Sequence, residues 1–436
     1  MSRWKKVLKW TAVVLLGLVA IALVANACFV WITDIRLERQ LAALRAAGDP
    51  ISLADLARKP IPPEKNAATY LRQAQPELET VYEAIYRANF HQGWGKQWNY
   101  GERHILTAEG VGAITRAVTT HPQALRLLEK AAACPDFEAG IDYSVRPSIT
   151  IINQLSDTYA RYRLAAYVLQ FYAHALVAQG NRDDAVRWAL VMSRLGRFCE
   201  DTPTLVGYLI RITLQGMTIE AANAALQTGP VSKPIRDSLD AALALQEPAD
   251  AFVRAMKGFR AAEMDMFQAY PRRNFWLISR GLWNRRESEF LEQVQAFLVL
   301  LQESRPYGVV RNAIRPRRNQ PMDFESLSRD PFLGVPTTYE CVVTHLARIR
   351  CLRVLNALQA HVPKGKDGVP GLKELGLPSA TITDPFTGGL LHVKRVPRGW
   401  LVYSVGPDGQ DDGGQLEDRL DVGVGPPLPV AQPAKK

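Results

Sequence analysis

Residues 159–196 read YARYRLAAYVLQFYAHALVAQGNRDDAVRWALVMSRLG, and this stretch decides the fold. On both sides of Gln179-Gly-Asn-Arg-Asp183 the apolar residues recur at the three-to-four spacing of an amphipathic helix. A Gly-Asn pair punctuates a helix rather than continuing it, so the segment predicts two antiparallel helices. The small residues Ala173, Ala185 and Ala189 fall where the two must touch.

The same periodicity extends outward from Glu64 to about Ala360 and predicts helices over 64–88, 107–133, 150–179, 182–199, 203–227, 233–246, 248–269, 286–304 and 337–361. Gly229-Pro230 and Glu247-Pro248 are the expected breaks, and strand-like alternation is scarce. The 159–196 hairpin resembles a tetratricopeptide unit, a helical repeat of about 34 residues that presents a concave surface to partner proteins. Ala189 stands where that family has an aromatic, and no second copy follows at the repeat period. Residues 64–336 are therefore expected to form an irregular helical array.

Ahead of this region, Arg3, Lys5, Lys6 and Lys9 precede an uncharged run from Trp10 to Ile32 that only Thr11 and Asn26 interrupt. About 20 such residues at ~1.5 Å rise span the roughly 30 Å hydrocarbon core of a bilayer, and a helix satisfies its own backbone there. Residues 1–33 thus predict a cytoplasmic tip and a single transmembrane helix, with membrane contact through 10–32 and cations on the cytoplasmic side. The bulk of the chain would then lie outside a bacterial inner membrane. Two other readings stay open: Ala25-Asn26-Ala27 has the pattern of a signal-peptide cleavage site, and Cys28 could carry a lipid. The apolar run continues past the cut through Ile32, which favours a retained anchor. Residues 34–63 predict a stalk helix ending at Gly48-Asp49-Pro50, followed by a semi-rigid connector containing Pro60, Pro62 and Pro63.

The C-terminal part changes character. Gly365 to Leu375 and Asp384-Pro-Phe386 lead into two β-like runs, Leu390–Val396 and Trp400–Val405, around the short loop Pro397-Arg398-Gly399. Tyr403-Ser-Val-Gly-Pro-Asp408-Gly-Gln-Asp411-Asp412-Gly-Gly414 and Asp421-Val422 form a glycine-rich loop studded with carboxylates. Glycines permit tight folding and aspartates supply hard oxygen ligands, so calcium and a solvated acidic turn are both consistent with it. From Tyr339 to Val424 the chain resembles the C-terminal part of the major pseudopilins of type II secretion. That resemblance implies a helix leading into a small α+β unit with a β-hairpin, over residues 337–424. It also implies calcium held by Asp408, Asp421 and the Val405 carbonyl, to which Asp412 is added as a local candidate. About 300 residues separate this segment from the anchor, so pilus assembly is not implied. Residues 425–436 read as a disordered tail.

The net charge of +10 is concentrated between Arg272 and Arg318, where ten arginines face four glutamates. Such a stretch suits anionic lipid or glycan, or arginines paired with nearby acids. Nucleic acid fits the charge but not an outward-facing compartment. Trp94, Trp98 and Tyr100 could stack on a sugar or pack on the helices. No His-Glu-x-x-His pair, nucleophile elbow or phosphate-cradling loop is present. Cys341 and Cys351 are too far apart along one helix to be bridged, since ten residues span ~15 Å and a disulfide needs Cα atoms within about 7 Å. The expectation is a mainly α, noncatalytic envelope protein that binds other envelope proteins. An envelope hydrolase acting on peptidoglycan or another glycan is the alternative.

Overall fold

The computed structural model describes residues 3–90, 106–143, 145, 149–201, 204–247, 249–269, 276–303, 305–314, 331–361, 370–416 and 420–426. It is mostly helical, with one small antiparallel sheet. Helix α1 runs unbroken from Arg3 to Ala46 and is long and apolar enough to cross a membrane. Its residues 7–25 are exposed, whereas Asn26, Phe29, Val30, Thr33, Leu37, Gln40, Leu41 and Leu44 are covered to varying degrees. These positions repeat every three or four residues, so they form one stripe. Residues 34–46, expected as a stalk, therefore do not stand free: Leu37 and Leu41 are buried in a core shared with later helices. Burying an aliphatic side chain of this size contributes roughly 1.5–3 kcal/mol, which two such leucines make sufficient to fix the segment. The connector is also laid along the body. Leu53 is buried and its amide donates to Asp265 Oδ2 at 2.9 Å, while Arg58 Nη1 donates to the Phe137 carbonyl at 2.8 Å.

Helices α2 (Ala67–Phe90), α3 (Ala108–Thr120) and α4 (Pro122–Ala133) precede the central hairpin. The single helix expected over 107–133 is two, because Pro122 lacks an amide hydrogen and disfavours helical backbone at His121. His121 accordingly sits at φ −125°, ψ 58°, and Pro122 starts α4. Thr107 caps α3 by accepting from the Gly110 amide at 3.1 Å.

The hairpin forms as α5 (Ile149–Ala178) and α6 (Arg182–Arg197). Gly180 at φ +84° lets the Asn181 amide reach the Leu176 carbonyl at 2.8 Å and its own amide reach Val177 at 3.0 Å, the Schellman pattern. Ala173, Ala185 and Ala189 are all fully buried at the contact. There follow α7 (Leu205–Thr228), α8 (Lys233–Ala244), α9 (Asp250–Ala269), α10 (Trp276–Gln302), α11 (Tyr307–Ile314) and α12 (Val335–His361). Helix α10 begins ten residues earlier than its spacing predicts, and α11 was not expected. The early turns of α10 pair with α1: Arg280 and Asn284 with Asp34, Ser288 with Gln40, and Glu292 with Arg36 and Gln40. Contacts advance together along both helices, so α1 and α10 run parallel.

Helix α12 lies between the two cores and against the sheet. Strands β1 (His392–Val396), β2 (Gly399–Ser404) and β3 (Val422–Val424) pair in that order, with His392 opposite Tyr403 and Ser404 opposite Val422. The buried guanidinium of Arg353 on α12 joins Asp240 of α8 (2.7 and 3.0 Å), Glu247, and Thr381 (2.9 Å) ahead of the sheet. All five cysteines are free thiols, with Cys341 exposed and Cys351 buried.

Candidate functional site

The sheet register builds the acidic loop. Because Ser404 faces Val422, the residue after β2, Val405, and the residue before β3, Asp421, come to the same end of the paired strands. Residues 406–416 and Leu420 lie at that end. Gly406, at φ +73°, comes so close to the Leu420 carbonyl that a Cβ there would lie 2.4 Å from its oxygen, so only glycine fits. Asp384 pins the base. Its buried carboxylate accepts from the Phe386 amide (2.8 Å), the Ser404 hydroxyl (2.9 Å) and the Val405 amide (3.0 Å).

Within the loop, Asp408 and Asp411 each turn back on the backbone, accepting from the Gln410 amide at 3.1 Å and the Gly413 amide at 2.9 Å. Asp411 Oδ1 also accepts from the Tyr403 hydroxyl at 3.0 Å, and His392, stacked on the Tyr403 ring, lies 3.6 Å from Asp411 Oδ2. The Gly413 and Tyr403 hydrogen bonds hold the Asp411 carboxyl below its usual range. Asp421, only 2% exposed, accepts through Oδ2 from the Gly414 amide at 2.7 Å and the Gln415 amide at 3.2 Å. Its Oδ1 is buried without a hydrogen-bond partner, and so is Asp412 Oδ2. Burial and the negative charges of Asp408, Asp421 and Asp411 hold the Asp412 carboxyl above its usual range.

A buried acceptor left without a donor is unfavourable, more so when charged. Asp412 and Asp421 each keep one such oxygen, and their charges repel. No known protein family, curated protein or solved structure matches the chain. The loop therefore has to be judged on its own chemistry. Among the described residues, no group of three or more His, Cys, Asp or Glu side chains is placed to hold a metal ion. The two orphaned oxygens belong to Asp412 and Asp421. They do not make an all-carboxylate cage.

Of the residues singled out in the sequence, Asp408, Asp412 and Asp421 are brought within electrostatic reach of one another, and Val405 sits beside Asp421. Asp411, which sequence reasoning passed over, is the carboxylate tied to the sheet. Its signal was the Asp-x-Gly spacing of an Asx turn. Trp94, Trp98 and Tyr100 lie outside the described residues, as do Arg272, Arg273, Arg315, Arg317 and Arg318. The described arginines of the basic stretch are engaged within the chain. Arg280 and Arg285 pair with Asp34 and Glu289, Arg305 with Glu303, Arg286 covers Trp283 and Phe267, and Arg311 donates to the Pro407 carbonyl.

The strongly displaced titratable groups sit elsewhere. Burial pushes the Glu263 carboxyl up to about 7, opposed by Arg286, and pushes His345 down, with Arg211 and Arg348 adding to the shift. Cys351 is raised by burial. A small cleft lined by Leu71, Phe137, Tyr162 and Arg161 offers about 10 Å³. Ligand pockets usually provide roughly 300–1,000 Å³.

Proposed function

We propose that this chain is a noncatalytic, membrane-tethered protein of the bacterial envelope that presents its helices to other envelope proteins. The observation that carries this reading is the anchor's two-part burial, bare over residues 7–25 and clamped to the body from Asn26 onward. A helix whose apolar surface no described residue covers needs lipid around it. The four cations before Trp10 favour a cytoplasmic N-terminus in the inner membrane, with the helical body outside. Affinity capture of the full chain from detergent extract is expected to recover a partner in stoichiometric amount. Recovery of the chain alone would overturn the interaction role.

We further propose that calcium stiffens the C-terminal unit, on the strength of the resemblance to the major pseudopilins and of the unpartnered oxygens of Asp412 and Asp421. Asp408 and the Val405 carbonyl would complete the ligand set. Bound calcium would supply charge neutralisation alone. A ligand of the native state present at 100 times its Kd adds about 2.7 kcal/mol of stability. The melting temperature should therefore rise on exchanging chelator for calcium, and Asp421→Asn should abolish the rise while keeping an acceptor for the Gly414 amide. Equal melting in chelator and calcium would remove the metal from the proposal.

A further inference from the structure

The parallel seam of α1 and α10 has a property that tethering alone does not require. Gly281 lies against Phe29, where a Cβ would be 2.5 Å from the ring carbon Cδ1, so the α10 backbone meets α1 inside the apolar run. At the end of that run Trp31 and Ile32 are exposed, and Leu282, next to Gly281 on α10, is exposed as well. Above them opens a groove of about 430 Å³ lined by Ile32, Ile35, Arg36, Arg39, Gln40 and Glu292.

The groove is apolar at its foot and cationic at its rim. Arg36 Nη2 donates to Glu292 Oε1 at 2.6 Å, and Gln40 donates to the same oxygen at 2.9 Å, which fixes Arg36 in place. Arg39 is exposed and has no ion-pair or hydrogen-bond partner among the described residues. If Ile32 marks the edge of the hydrocarbon, Arg36 and Arg39 stand about 6 and 10 Å beyond it at ~1.5 Å per residue. The headgroup layer adds roughly 5–7 Å on each side, and arginine stems bend toward it. The two guanidinium groups thus reach the level of lipid phosphates, while exposed Ile32 and Trp31 continue toward the hydrocarbon as apolar surface for acyl chains.

We propose that this groove is a binding site for one anionic phospholipid, with its phosphate on Arg36 and Arg39 and its chains along the foot of the seam. A guanidinium pair suits a phosphate, which accepts bidentate hydrogen bonds from it. Among the lining residues two arginines outnumber one glutamate, so the rim is net positive and an anionic lipid is favoured over a zwitterionic one. The site rests on α1 spanning the membrane.

The test uses the full chain in nanodiscs of phosphatidylcholine alone or of equal parts phosphatidylcholine and phosphatidylglycerol, with retained lipid read by native mass spectrometry. The expected result is phosphatidylglycerol carried by the chain, lost in Arg36→Gln/Arg39→Gln and kept in Arg126→Gln, an exposed control far along the chain. A melting temperature higher in the mixed discs, with the increment absent from the double variant, would accompany it. Equal retention by the chain and the double variant overturns the lipid site and leaves the anchor standing. A chain that does not enter nanodiscs overturns the anchor and this site together.

Discussion

Arg353→Ala is expected to destabilise the body by about 3 kcal/mol, because it removes the cation from a buried cluster and leaves its acids behind. Arg353 is 6% exposed and joins Asp240 through two hydrogen bonds, Glu247 through a third and Thr381 through a fourth. Glu247 keeps a second cation, Arg350, at 3.6 Å, so the loss falls mainly on Asp240. Asp240 is about one-third exposed, which places the figure at the lower end of the range for a broken buried pair. The check is a thermal melt in detergent together with a double-substitution cycle. Adding Asp240→Asn to Arg353→Ala should restore part of the loss, whereas Asp240→Asn alone should destabilise. Additive losses would show that the pair is not coupled.

Asp384→Ala is expected to cost a comparable amount, about 3 kcal/mol, and to act locally. It strands two amides and a hydroxyl, those of Phe386, Val405 and Ser404, in the interior where water cannot replace the lost acceptor. Asp384→Asn keeps one carbonyl oxygen and should cost about half as much. Hydrogen exchange would locate the effect: the Val405 amide and its neighbours in β2 and β3 should exchange faster, while amides of the α5–α6 hairpin stay protected. Unchanged exchange at Val405 would refute the pinning role.

What the sequence revealed follows a physical line. The α5–α6 hairpin was legible because its signals are local: apolar spacing within each helix and a glycine that must adopt positive φ. The long apolar N-terminal helix was legible for the same reason, since its exposed apolar run is written in consecutive residues. The start of α10 was not legible, because residues 276–285 make sense only against a stripe on α1 some 250 positions earlier. Pro122 misled in the opposite direction. Within an apolar periodic run, a proline at a first helical turn looks the same as one inside a helix, and only the backbone at His121 distinguishes them. In the acidic loop, spacing found the right cluster but could not rank its members. Asp411 is satisfied by Tyr403 and Gly413 while Asp412 keeps an unpartnered oxygen, and that difference is set by the strand register rather than by neighbours in sequence.

The continuity of α1 has a mechanical consequence. Where α1 spans a membrane as proposed, one rod, Arg3–Ala46, serves as both mast and keel, with no universal joint between lipid and body. In a bilayer thinner than its apolar run the rod must lean, and the helices fastened to its upper half must lean with it. Membrane thickness would therefore set the angle at which the outer surface meets its surroundings.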